Sequence, residues 1–127
     1  MSARQARGAA ARTAGRRAEW LAALLLMAKG YRILGFRLKT PQGEIDLLAI
    51  RGTTLAVVEV KQRATLEAAL ECVSRDQRDR LRRAGAQIAA KRANLSRAFV
   101  RLDLIALAPG RWPRHIADAW RGDGFVG

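Results

Sequence analysis

Cysteine and histidine each occur once, as Cys72 and His115. A single thiol excludes an internal disulfide, and with one imidazole it excludes a multi-cysteine zinc or iron–sulfur site. Aromatic residues make up only 6% of the chain, so no stacking platform for single strands is evident. The longest apolar run, Trp20 to Ala28, falls far short of the ~20 residues a membrane span needs. Acids are scarce too: 11 Asp and Glu stand against 24 Lys and Arg, a formal charge of +13 over 127 residues. So basic a chain suits a polyanionic partner, with nucleic acid, DNA or RNA, ahead of an anionic membrane. Base-rich coding could account for the preference for Arg over Lys. It does not account for the scarcity of acids.

The length suits one domain. Residues 1–14 are Ala, Arg, Gly, Ser, Gln and Thr with one Met, and read as a basic mobile tail before a single domain over 15–127. Arg16-Arg17 and the apolar run after them imitate a secretory signal. Glu19 interrupts the entry to that run, however, and no small-x-small cleavage site follows it. The segment from Gly15 to Lys29 reads instead as a soluble helix, with Leu21, Leu24, Leu25, Ala18, Ala22 and Ala28 at helical spacing. No basic amphipathic helix with aromatic anchors stands out, so a membrane partner is set aside and the protein reads as cytoplasmic.

Strands are expected over residues 31–39, 43–50 and 55–61, the last two joined by the hairpin spacer Arg51-Gly52-Thr53-Thr54. Residues 63–73 read as irregular. Ser74 and Gln77 form a capping box that opens a helix through about Arg92, with Leu81, Ala84, Ile88 and Ala89 as its apolar face. A further strand, FVRLDLIALA, ends at Pro109-Gly110, and a last short element carries His115, Ile116 and Trp120. The order predicts an α/β fold with a mixed sheet flanked by helices.

With so few acids, their placement is informative. Glu44, Asp46 and Glu59 lie within almost wholly apolar strands, where a lone charge costs several kcal/mol unless paired or bound to a cation. Strand alternation puts Glu44 and Asp46 on one face and Ile45 and Leu47 on the other, with Glu59 and Lys61 likewise paired. A two-residue loop at 51–52 would set Asp46 opposite Val57, and a four-residue loop at 51–54 would set it opposite Glu59. Either even length gathers all four groups on one face. Hard oxygen ligands without nearby His or Cys suit Mg²⁺ or Mn²⁺. The plainer reading is a cross-strand ion-pair ladder, from which like charges at 44 and 46 would gain little.

Asp46 in GEIDLLA, followed by a hairpin and Glu59-Val60-Lys61, resembles the P-D…(D/E)-x-K signature of restriction-endonuclease-like nucleases. More closely, the chain is similar to the YraN-like family, which is assigned to that fold. The matching pieces are GRRAEWLAALLLMAKGYRIL, GEIDLLA, VVEVKQR, the helix start at Ser74, VRLDLIAL and RHIADAW. The resemblance implies a restriction-endonuclease-like αβββαβ core and a divalent-metal-dependent nuclease, with Asp46 and Glu59 holding the metal. It implies that Lys61 positions or activates the attacking water, that Glu19 completes the site from the first helix, and that Gln77 stands near it. Glu19 is equally an ordinary helix partner of Arg16, and Gln77 is first a capping residue. Arg37 and Leu38 stand where many relatives carry Asn and an aromatic.

Arg75, Arg78, Arg82 and Arg83 form a basic helix face suited to tracking a phosphate backbone. Asp103 is expected to pair with Arg101 or another Arg, and His115 and Cys72 to be structural. A catalytically silent nucleic-acid-binding module with the same fold, part of a repair or processing assembly, is the alternative function.

Overall fold

The computed structural model describes residues 3–123, with side chains described from Gly15 onward. Helix α1 (Ala3–Ala28) leads into strands β1 (Arg32–Thr40), β2 (Gly43–Arg51) and β3 (Thr54–Gln62). Helices α2 (Leu66–Glu71) and α3 (Arg75–Lys91) then return the chain to β4 (Phe99–Leu107), and β5 (Arg114–Ile116) follows. The sheet order is β1-β2-β3-β4-β5, with β3 and β4 parallel and every other pair antiparallel. This is the expected α/β architecture, an αβββαβ core with a mixed sheet between helices. The crossover through α3 is what allows β4 to run parallel to β3.

On one face, Ala18, Ala22 and Leu26 of α1 pack on Leu47, Ala49, Ala56, Val58 and Ile105. The expected α1 face is corrected here, because Leu21 and Leu24 are 48% and 55% exposed, as are Trp20 and Met27 in similar measure. Small alanines let the helix axis lie close to the sheet, and the leucines at neighbouring angles are turned outward. The helix also starts at Ala3, where a boundary near residue 15 is expected. Alanine and arginine are among the strongest helix formers, so this stretch needs no apolar face to be helical.

On the other face, α3 buries Leu81, Ala84 and Ala89 against Leu48, Leu55, Val57 and Leu102. Ser74 caps it, its Oγ accepting from the Gln77 backbone N–H at 3.1 Å. Gly85 sets how close α3 lies to the sheet. A Cβ there would stand 2.6 Å from Val57 Cγ2 and 2.9 Å from a methyl carbon of Val100. Within the segment expected to be irregular, Thr65 caps α2 by accepting from the Ala68 N–H. No helix of the described residues is long and apolar enough to cross a membrane.

The candidate acidic site

The β2–β3 hairpin turns at Gly52-Thr53, with Arg51 paired to Thr54. Its register is that of the second alternative, in which Asp46 would stand opposite Glu59. The ladder stops one pair short, at Leu47↔Val58. Beyond that point the strands part, and the Val60 N–H donates to Asp46 Oδ2 at 2.9 Å.

Side-chain alternation reverses at the same place. Leu47 packs with the α1 cluster, but Ile45 belongs with the α3 cluster, so the expectation that they share a face is corrected. The matching break in β1 falls between Phe36, on the α1 side, and Leu38, on the α3 side. Between them Arg37 has φ +46°, a left-handed conformation that turns a strand's side chains over. The pairs Phe36↔Leu47 and Leu38↔Ile45 set Arg37 opposite Asp46. Two strands thus twist together where the carboxylates gather.

Glu59 is 2% exposed. Lys61 Nζ lies 3.6 Å from its Oε2, and Asp46 shares a hydrogen bond with it. Burial first, and then the neighbouring Asp46 charge, push the Glu59 carboxyl up to about 8 against the opposing pull of Lys61. Asp46 is also raised, chiefly by burial, with the Val60 N–H and Lys61 working against the shift. Both carboxyls of the pair are therefore harder to ionise than free ones, Glu59 the more so. Glu44 is exposed, lies across from Lys39, and is close enough for its charge to raise Asp46.

Glu19 reaches the site from α1, and its partner is Arg37 rather than Arg16. Its carboxyl is raised by burial first, with Arg37 opposing and Asp46 adding to the rise. Glu19, Asp46, Lys61 and Arg63 line a cleft of about 260 Å³. Arg63, which lines the cleft, and Arg37, which pairs with Glu19, are two cations that sequence reasoning leaves unassigned. Gln77 does not line this cleft, and its observed bond is the backbone bond of the helix cap.

The basic face of α3 is largely committed within the molecule. Arg78 makes two bonds to Asp123, at 2.8 and 2.6 Å, and Arg82 and Arg75 also reach that carboxylate. These guanidiniums hold Asp123 far below the usual carboxylate range. Arg83 instead donates to Gln42 Oε1 at 3.2 Å, which ties α3 to the turn just before Glu44. No sequence pattern marks Asp123 as the partner, since it lies more than forty residues from Arg78.

A second polar knot is structural. Asp103 is fully buried and accepts two bonds from Arg101, one from His115 Nε2 at 2.8 Å and one from the Asp118 N–H at 2.9 Å. Lys29 Nζ lies 2.9 Å from His115 Nδ1, so Nδ1 accepts and the ring proton sits on Nε2 toward Asp103. Despite burial, these donors keep Asp103 below its ordinary value.

A pH dependence follows from Glu59. Its folded value lies above the unfolded one, so above about pH 4.5 the native state keeps a proton that the unfolded chain has lost. The stability this proton provides is complete below about 4.5 and is lost as pH rises through about 8. Urea unfolding midpoints should therefore fall between pH 5 and pH 8.5 on this account, and Glu59→Gln should flatten that fall.

The description "Uncharacterised protein family UPF0102" matches residues 18–107 of the chain. A UPF0102 protein of Caulobacter sp. (strain K31) is 74% identical over 124 residues, covering 98% of this chain and 89% of the relative. One from Caulobacter vibrioides (strain NA1000 / CB15N) is 70% identical over 119 residues, covering 94% and 95%. Another, from Parvibaculum lavamentivorans, is 51% identical over 116 residues, covering 91% and 87%.

Proposed function

The chain belongs to the UPF0102 family, and we propose that this protein is a divalent-metal-dependent phosphodiesterase acting on DNA or RNA. The observation that carries the reading is the half-buried Asp46 next to the buried Glu59, with Lys61 beside them, at the point where β2 and β3 part. Two adjacent carboxyls with raised pKa values are a poor structural device, because an apolar pair would be at least as stable. As a donor set for a hard cation they make sense, since the cation's charge offsets their burial and mutual repulsion. Among the described residues no three His, Cys, Asp or Glu side chains stand together as a ready metal site. The fit is therefore with two protein carboxylates, Asp46 and Glu59, with remaining positions left to water and substrate, as Mg²⁺ commonly prefers.

Bound Mg²⁺ or Mn²⁺ would lower the pKa of a water and stabilise charge developing on the phosphate. The Val60 N–H holds the Asp46 carboxylate in place at the edge of the cleft it lines. Lys61, partly exposed and held near Glu59, orients the attacking water and supplies a positive charge to the phosphate. Arg63 adds a second positive charge in the same cleft.

The silent binding module is the second reading. What favours it is that Arg37 already occupies Glu19, so the third acid is not free. A cleavage screen with Mg²⁺ and Mn²⁺ over single-stranded, double-stranded, nicked and branched substrates separates the two. Cleavage lost in Asp46→Asn supports the enzyme, and intact substrates throughout with tight binding support the module.

Either reading predicts binding with little sequence preference. Affinity should fall by orders of magnitude between about 50 and 200 mM salt as released counterions lose their entropic advantage. A flat response by fluorescence anisotropy would remove polyanions as the explanation of the +13 charge.

A further inference from the structure

We infer that Arg37 is a built-in counterion of the acidic cleft, holding Glu19 against the divalent cation until a substrate phosphate draws the guanidinium away. The inference rests on the metal reading above and goes beyond it by making cation binding at the third acid depend on the substrate.

Three observations carry it. Arg37 is one of two non-glycine residues at positive φ among the described residues, a conformation that L side chains rarely adopt. Its position in β1, bracketed by the pairs Phe36↔Leu47 and Leu38↔Ile45, places that rare conformation opposite Asp46. An ordinary strand residue there would preserve alternation and the packing of Phe36 and Leu38 on one face. The turned-over backbone delivers the Arg37 guanidinium to the Glu19 carboxylate instead.

The ion pair is also lopsided in exposure. The Glu19 side chain is 13% exposed while that of Arg37 is 44% exposed. Glu19 lines the cleft it shares with Asp46 and Lys61, whereas an incoming phosphate can meet the more exposed guanidinium from solvent. Arg prefers a planar pair of acceptor oxygens, which phosphate provides as well as carboxylate does. Moving the guanidinium from Glu19 to phosphate unmasks a negative charge that Asp46 already feels and removes one positive charge from the cation's surroundings. By linkage, phosphate and cation then raise each other's affinity by the same factor.

The test is Mn²⁺ binding by the full chain, read from the electron paramagnetic resonance signal of free Mn²⁺. Arg37→Asn keeps a residue that tolerates the left-handed conformation while removing the charge. It should bind Mn²⁺ about tenfold more tightly than wild type without nucleic acid, the effect of one nearby, partly screened charge. The double variant Glu19→Gln with Arg37→Asn should lose that gain. Circular dichroism of each variant confirms that the comparison is between folded proteins. A short DNA duplex, added in a Lys61→Ala background to suppress turnover, should tighten Mn²⁺ binding when Arg37 is present and much less in Arg37→Asn. Equal or weaker Mn²⁺ binding by Arg37→Asn, or duplex tightening that is the same with and without Arg37, overturns this inference and leaves the metal reading standing. Absence of Mn²⁺ binding in every protein, with and without duplex, overturns both.

Discussion

Glu59→Gln should abolish cleavage, with a loss of at least about a thousandfold, and should abolish Mg²⁺ and Mn²⁺ binding with it. The substitution replaces one anionic oxygen ligand with a neutral amide of nearly the same shape. The fold should survive it, because Gln can donate to Asp46 and accept from Lys61, the two partners of the native side chain. At pH 8.5 the variant should be the more stable protein, by several degrees in Tm, since Glu59 must otherwise ionise while buried beside Asp46. Asp46→Asn should lose metal and cleavage in the same way. Lys61→Ala should separate the two readouts: cleavage falls while Mn²⁺ affinity holds or rises, because a repelling cation is gone. Titration calorimetry with Mn²⁺ beside a cleavage assay on the same preparations checks all three.

Asp103→Ala should be the most damaging single change to stability, at about 3–5 kcal/mol. Removing that carboxylate strands the Arg101 guanidinium and the His115 Nε2–H, and it also deprives the Asp118 N–H of its acceptor. The damage spreads because the knot joins several elements. Arg101 also donates to the Tyr31 hydroxyl, and Lys29 at the end of α1 reaches His115. His115→Ala should cost less, about 1–3 kcal/mol, because it leaves Arg101 paired. Differential scanning calorimetry on the two variants gives the order. A larger loss for His115→Ala would show that the imidazole, and not the carboxylate, holds the knot together.

Much of this fold is legible in the residues because the strong signals are local. The three middle strands, the Ser74 cap and the αβββαβ order follow from alternation, one Gly-centred turn and one Ser-x-x-Gln pattern. The hairpin's register is legible as well, but its ladder stops before Asp46 and Glu59, so how those two carboxylates meet is not. Less legible is what depends on how elements meet. The α1 face cannot be chosen by hydrophobicity alone, since alanines at 18 and 22 win over leucines at 21 and 24 through the shorter helix–sheet distance they permit. The reversal at Arg37 and Asp46 breaks the period-two rule, and no residue type at those positions announces it. Arg37 is not a residue that normally signals a left-handed turn, so its role emerges only with Glu19 beside it. Asp123 likewise gathers three arginines that look in sequence like a free basic face.

The most direct measurement of the central claim is a titration of the wild-type protein with Mg²⁺ and Mn²⁺ at pH 8.5, alone and with a DNA duplex, beside Asp46→Asn. A site built on Asp46 and Glu59 predicts saturable binding by the wild type at or below millimolar cation, strengthened by the duplex, and none by the variant. Wild-type protein that binds neither cation at millimolar concentration, even with nucleic acid present, would contradict a metal-dependent phosphodiesterase and leave a nucleic-acid-binding module in its place.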